Sequence, residues 1–155
     1  MRTKVTQDAY DAFLATKPDM KAIWQNALPI ISTEHWKVIK NDFPYDAMNL
    51  ARHDLLIPKF QRVSFKELSP EEYADFLFAL DLLERQYSYY RLNCSQFKTV
   101  QDYIHVHLIR DSGYRPEKDT LTVIEKQRTP TLIDEYVKYF NSLNLGISGN
   151  IHPTT

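Results

Sequence analysis

Glycine is scarce in this chain: three in 155 residues, Gly113, Gly146 and Gly149. That excludes the phosphate-cradling loops that need several closely spaced glycines, the P-loop and the dinucleotide fingerprint. If the chain handles phosphate, side chains and a few backbone amides must do it. Cysteine is scarcer, with Cys94 alone, so no intramolecular disulfide can form and a reducing, cytoplasmic setting is expected. No apolar run is long enough to cross a bilayer. The stretch from Met1 to Phe13 lacks the apolar centre of a signal peptide. A formal net charge of −1 gives nucleic acid or anionic lipid no reason to bind without specificity. What remains, 43% apolar residues with ten Tyr and eight Phe, is enough for one domain around one aromatic-rich core.

Short strands stand apart from helices along the chain. Residues 7–26 carry two apolar stripes, Ala9, Phe13 and Leu14, then Met20, Ile23 and Trp24, and predict a helix interrupted near Lys17-Pro18. His35–Ile39 and His53–Pro58 read as strands, the second stopped by its proline. Between them, Asn41-Asp42-Phe43-Pro44-Tyr45-Asp46 is turn chemistry. The clearest local signal is Leu68-Ser69-Pro70-Glu71-Glu72: Ser69 as N-cap, Pro70 at the first helical position, Glu72 completing a capping box. The helix it opens is expected to run to about Tyr87 and to bury Tyr73, Phe76, Leu77, Leu80 and Leu83. Arg91–Cys94 and residues 101–110 read as strands, Leu121–Ile124 as a weaker one, Thr131–Phe140 as a closing helix, and the end from Gly146 as loose. Clustered strands with separate helices make an α+β domain with a largely antiparallel sheet.

His105-Val106-His107-Leu108-Ile109 carries the most chemistry. Side chains alternate across a strand, so His105 and His107 share one face, ~7 Å apart along it. Ile104, Val106 and Leu108 face a core on the other side. Two imidazoles side by side on a rigid strand suit few tasks, and phosphoryl chemistry and metal binding lead them. A neutral imidazole is a competent nucleophile near neutral pH and also the commonest metal ligand.

Four stretches, in order, resemble the histidine triad family of nucleotide hydrolases and transferases. Asn41–Asp46 resembles the turn after that family's second strand. His53-Asp54-Leu55-Leu56-Ile57-Pro58-Lys59 resembles the strand where an H-x-L-(L/V)-I-P-K pattern recurs. Glu67–Glu72 resembles the opening of its long helix. Tyr103-Ile104-His105-Val106-His107-Leu108-Ile109 resembles its signature of three histidines alternating with apolar residues. The resemblance covers roughly residues 35–112. Two of the three histidines are present, and two registers are open. In one, Tyr103 takes the first histidine position, His105 the second and His107 the third. In the other, His105 and His107 come first and Ile109 replaces the third, which puts Arg110 and Asp111 where the family has apolar residues. The first register is preferred.

The resemblance implies a HIT-like fold, with a largely antiparallel sheet of about five strands, a long helix and additional terminal helices. The expected layout is an N-terminal helical segment over residues 1–30 packed on the domain, the HIT-like domain over 31–145 and a loose tail over 146–155. Carried over residue by residue, His105 is the nucleophile toward an α-phosphorus and His107 donates a hydrogen bond to a phosphate oxygen. Asn41 would hold ribose hydroxyls, Asn93 would position phosphate or leaving group, and Thr99 and Gln101 would supply polar phosphate contacts. Tyr103 is expected to share the histidine face, narrow the pocket and touch phosphate or leaving group. The implied partner is a nucleotide or dinucleotide, with neither nucleic acid nor membrane, neither metal nor other cofactor, and a homodimer left open. Two other readings stay open: a nucleotide-binding protein without turnover, and a metal site on His105 and His107 with a third ligand from His53, His35 or a carboxylate. Taken alone, His53 reads as a packed or edge residue, and Cys94 as a small buried hydrophobe.

Overall fold

Lys17 precedes Pro18 with φ at 53°, and the N-terminal helical stretch breaks there because a residue before proline is pushed out of the helical region. The structure is a computed structural model and describes residues 2–94, 98, 100–113 and 138. The readings at Thr99, at Leu121–Ile124, over Thr131–Phe140 apart from Lys138 and from Gly146 onward lie outside those residues. The break separates α1, Lys4–Ala15, from α2, Met20–Asn26, each capped by a side-chain oxygen, Thr3 on Thr6 N–H and Asp19 on Ala22 N–H. On α1 the inward ring is Tyr10, with Phe13 beside it; Ala9, expected inside, is exposed.

Five strands follow: β1 Ile31–Ser32, β2 Trp36–Lys40, β3 Leu50–Pro58, β4 Tyr89–Arg91 and β5 Val106–Asp111. They form one sheet in the order β1-β2-β3-β5-β4, with every neighbouring pair antiparallel. With the helices set apart from the strands, the chain is an α+β protein. β4 begins two residues before the strand expected at Arg91–Cys94, and Cys94 is exposed rather than buried. Residues 101–105 form a turn leading into β5, so the last strand is shorter than its apolar pattern. No helix among the described residues is long and apolar enough to cross a membrane.

Helix α3, Pro70–Leu83, opens on the expected capping box, with Ser69 and Glu72 bonded reciprocally. It stops at Leu83 rather than near Tyr87. Tyr87 is drawn into the core by its hydroxyl, which donates to Asp54 at 2.6 Å, and burial pushes the pKa of that phenol up. The face α3 buries is also rotated from the expected one: Ala74, Asp75, Phe78, Ala79 and Leu83 are buried, while Tyr73, Phe76, Leu77 and Leu80 are half-buried. Two alanines let the helix sit close, and the larger rings wrap its flanks, Phe76 on Trp36 at 4.7 Å and Tyr73 beside Phe65. Asp75 is fully buried and accepts from the Thr33 hydroxyl at 2.6 Å and the His35 peptide N–H at 2.7 Å, tying α3 to the β1–β2 turn.

Strand alternation divides the sheet. One face carries Trp36, Val38, Leu56, Val106 and Leu108, with Ile104 just ahead of β5, and packs under α3 as the main core. The other carries Ile39, Leu55 and Ile57 with Tyr103, and is covered by Trp24 of α2. The polar side chains described next lie on this second face. Lys37 holds the cover in place: its ammonium donates to the carbonyls of Gln25 at 2.9 Å and Ala27 at 2.8 Å, at the C-terminus of α2.

Candidate active site

His105 and His107 lie on the α2-covered face, as strand alternation requires, with ring centroids 5.2 Å apart. They have a third imidazole beside them. His53, on β3, is 5% exposed, and its Nε2 lies 2.9 Å from Nδ1 of His107. Sequence alone reads His53 as a packed or edge residue; in the fold it is the hydrogen-bonded partner of His107. The two are 54 positions apart in sequence, and the β3–β5 register, which sets Leu55 opposite His107, brings His53 onto its diagonal.

The protons of this row follow from the partners. The Tyr45 peptide N–H donates to His53 Nδ1 at 3.0 Å. A peptide N–H can only donate, so Nδ1 bears the lone pair and the proton of His53 sits on Nε2. Nε2–H then donates to His107 Nδ1, which places the proton of His107 on its Nε2. That nitrogen lies 3.4 Å from both the Tyr45 hydroxyl and Nδ2 of Asn93. One backbone N–H thus sets two imidazoles and leaves His107 presenting an N–H. His105 is set separately: its Nδ1 donates to the Tyr103 carbonyl at 2.9 Å. A carbonyl can only accept, so Nε2 of His105 keeps its lone pair.

All three rings are held neutral. Burial pushes His107 down to about 3, reinforced by the neighbouring imidazoles of His105 and His53 and then by Arg91 and Arg2. Burial, then Arg2 and Arg91, pushes His53 down to about 4. His105 is lowered by burial, against the opposing pull of the Tyr103 carbonyl and with a smaller contribution from Lys98. A buried neutral imidazole is a nucleophile and a hydrogen-bond partner but no cationic acid.

The remaining expected residues divide. Asn41 lines the pocket beside His105 and His107. Its Oδ1 accepts from the Phe43 N–H at 2.9 Å, while its Nδ2 lies 3.2 Å from His53 Nε2, donor facing donor, so one lone pair and both amide N–H groups are without an acceptor among the described residues. Asn93 Nδ2 lies 3.4 Å from His107 Nε2, donor facing donor, and its Oδ1 accepts from Arg91 Nε at 2.9 Å. Gln101 is exposed on the turn before β5 and donates to the Lys98 carbonyl, away from the row. Tyr103 corrects the expectation. It shares the histidine face but is 0% exposed, its ring lies edge-on to Trp24 at 5.2 Å, and its hydroxyl donates to the Pro58 carbonyl at 2.9 Å. It is a core residue whose carbonyl serves His105, and its phenol does not reach the pocket.

Sequence reasoning packs residues 1–30 on the domain but does not show which side chains cover the row. Trp24 stands edge-on to His105 at 5.1 Å. Tyr45, from the Asn41–Asp46 turn, stacks on His107 at 5.2 Å and tilts over His53 at 4.4 Å. Arg2, ahead of α1, donates from Nε to the Phe43 carbonyl at 2.8 Å. Its guanidinium lies 4.2 Å from the Tyr10 ring and 5.1 Å from that of Tyr45. Arg2, Tyr10, Trp24 and Phe43 line, with His105 and His107, a pocket of about 90 Å³. A wider groove of about 590 Å³ adjoins it, lined by Tyr45, Arg52 and His53, with Lys40 and Asn41 lining both. Among the described residues no set of three His, Cys, Asp or Glu side chains is arranged to hold a metal ion, and the facing nitrogens of His53 and His107 are bonded to each other.

No family model and no curated protein matches the chain. Solved structures do match. The chain is similar to a HIT-like protein involved in cell-cycle regulation from Bartonella henselae (13% identity over 72% of this chain and 82% of that one, TM-score 0.42). It is similar to a hypothetical histidine triad nucleotide-binding protein from Sulfolobus tokodaii (18% identity, 80% and 90%, TM-score 0.41). A zinc-bound histidine triad family protein from Mycobacterium smegmatis is comparable (19% identity, 79% and 93%, TM-score 0.41). At such identities and scores, what the site can do is read from this chain's own side chains.

Proposed function

We propose that this chain binds a nucleotide and hydrolyses or transfers it at the α-phosphate through a nucleotidyl-His105 intermediate. The observation that carries this is the 2.9 Å bond from His105 Nδ1 to the Tyr103 carbonyl, which keeps the lone pair on Nε2 while burial keeps the ring neutral. That pair attacks phosphorus, an N–P bond forms, and the bond to the leaving group breaks with its electrons on the departing atom. The ring then carries positive charge, which the Tyr103 carbonyl stabilises through Nδ1–H. The Nε2–H of His107 is placed to donate to a phosphate oxygen as charge develops there. Water next attacks phosphorus, an O–P bond forms, the N–P bond breaks with its pair returning to His105 Nε2, and the proton lost by the water passes to solvent. In this reading the tyrosine at the first signature position supplies a backbone carbonyl, a task independent of its side chain.

A 90 Å³ pocket is below the roughly 300–1,000 Å³ of small-molecule sites, so a nucleotide enters by using the adjoining groove or by displacing part of the cover. The test is His105→Asn against a nucleotide panel. Ligands that raise the melting temperature of the wild type should still raise that of the variant, while turnover falls about a thousandfold or more. Near-normal turnover in His105→Asn, with loss in His107→Asn, would move the nucleophile to His107. Binding without any wild-type turnover would leave a nucleotide-binding protein.

A further inference from the structure

The two helices over the histidine row are held in different ways. α2 is built into the body: Trp24 is buried against Tyr103 and His105, Lys37 holds its C-terminal carbonyls, and Gln25 Oε1 accepts from the Gln61 N–H at 3.0 Å. Of the twelve residues of α1 only Tyr10 is buried. Tyr10 and Phe13 meet the ring of Phe43, at 5.1 and 5.2 Å. Phe43 belongs to the Asn41–Asp46 turn, and that turn is anchored to the row, since its Tyr45 N–H donates to His53.

The two ends of α1 differ from its middle. At the N-terminus three donors converge on one carboxylate: Asp46 accepts from the Thr3 N–H at 2.6 Å, the Thr3 hydroxyl at 2.8 Å and the Thr6 hydroxyl. These donors, the Thr6 hydroxyl foremost, pull the pKa of Asp46 down to about 2. Thr3 and Asp46 are exposed, so water can replace each bond. Just past the C-terminus stands Lys17, exposed, with φ at 53°. That left-handed conformation costs a residue with a Cβ, and such strain gathers at switch segments. Between its ends α1 is self-supporting. Thr3 caps the Thr6 N–H, Lys4 pairs with Asp8, and Gln7 Nε2 donates to Asp11 at 2.8 Å.

We propose that α1 is a hinged lid over His105, swinging about Lys17-Pro18 when Asp46 releases Thr3 and Thr6, while α2 and the Asn41–Asp46 turn stay on the sheet. Arg2, Tyr10 and Phe13 are walls of the 90 Å³ pocket, and all three leave with α1. The Nε2 lone pair of His105 then meets solvent. Opening of this kind breaks exposed bonds and one ring cluster, so it costs far less than unfolding. The lid governs access to His105 whatever reaction follows there, and it stands or falls apart from the nucleotidyl step.

Diethyl pyrocarbonate tests the lid, because it acylates an imidazole nitrogen that bears a lone pair and can be reached. His105 is 3% exposed and the side chain of His35 is 31% exposed. The rate of acylation at His105 relative to His35, from peptide mass mapping near neutral pH, therefore reports how often the lid opens. In wild type the ratio should lie well below one. Asp46→Ala should raise it about tenfold through loss of the charged acceptor, and Thr6→Val should raise it less. Gln25→Ala, which frees a tie of α2, should leave it unchanged. Amide hydrogen exchange separates opening from unfolding: α1 should exchange faster in Asp46→Ala while β3 and β5 keep their wild-type rates. A wild-type ratio near one, an unchanged ratio in Asp46→Ala, an equal rise in Gln25→Ala, or a rise matched by faster exchange in β5 would each overturn the lid.

Discussion

The two faces of the sheet come from the same strands and meet opposite kinds of cover. Under α3 lie Trp36, Val38, Leu56, Val106 and Leu108, a dry surface stabilised by area. Under α1 and α2 lie three histidines, Asn41 and Lys37, all buried. Each of these side chains makes at least one polar contact, while the Nε2 lone pair of His105 is left open toward the pocket. Its cover is two short helices held by a few polar ties: Lys37 to the carbonyls of Gln25 and Ala27, Arg2 to that of Phe43, and Thr3 and Thr6 to Asp46. Such ties can be released one at a time, whereas α3 is bound by its whole apolar face. The first face makes the fold stable, and the second carries the site proposed to take a ligand.

Adjacent residues break this comparison most sharply. Leu108 faces α3 and is 0% exposed. Leu108→Ala should lower unfolding free energy in denaturant melts by about 2–5 kcal/mol, whereas His107→Asn beside it should act mainly on turnover. Acid should single out the histidine face next. His53 and His107 are held at about 4 and about 3 against an ordinary value of 6.5, so the folded chain prefers them neutral. Below pH 6.5 the unfolded chain takes up protons first. Stability present at neutral pH should therefore fall progressively toward pH 4, in melts recorded across that range. His53→Gln should reduce the drop, and Leu108→Ala should leave its pH dependence unchanged. His53→Gln should also lower kcat by about 10- to 100-fold, because His107 loses the bond that fixes its tautomer, with a smaller change in KM. The smallest effect belongs to Tyr103→Phe. Loss of the bond to Pro58 should destabilise by about 1 kcal/mol, and kcat/KM should stay within about twofold, since the carbonyl that holds His105 is untouched.

What the sequence made legible was local. Ser69 and Glu72 specify their capping box within four residues, and the alternation of His105, Val106, His107 and Leu108 assigns each to its face without the rest of the chain. What it hid was non-local. His53 looks like the first residue of an apolar strand until the antiparallel pairing of β3 with β5 brings it to His107; the usable signal was that His53, Leu55 and Ile57 alternate onto the same face. Tyr103 was placed on the correct face, but its depth depends on Trp24, on a helix 79 positions earlier in the sequence. The buried stripe of α3 departs from the apolar spacing of Tyr73, Phe76, Leu77 and Leu80 because the small Ala74 and Ala79 decide how closely a helix can approach a sheet. Arg2 carries no sequence signal at all; it matters only because the Asn41–Asp46 turn holds it against Tyr45.

The central claim is that His105 becomes covalently bound to the nucleotide. A single-turnover reaction of wild type with a dinucleoside triphosphate, quenched in alkali where a phosphorus–nitrogen bond persists, tests it by peptide mass mapping. The account predicts a nucleoside monophosphate adduct on His105 that forms and decays at the rate of turnover and is absent from His105→Asn. Turnover with no adduct on any histidine, or an adduct on His107 instead, would contradict it.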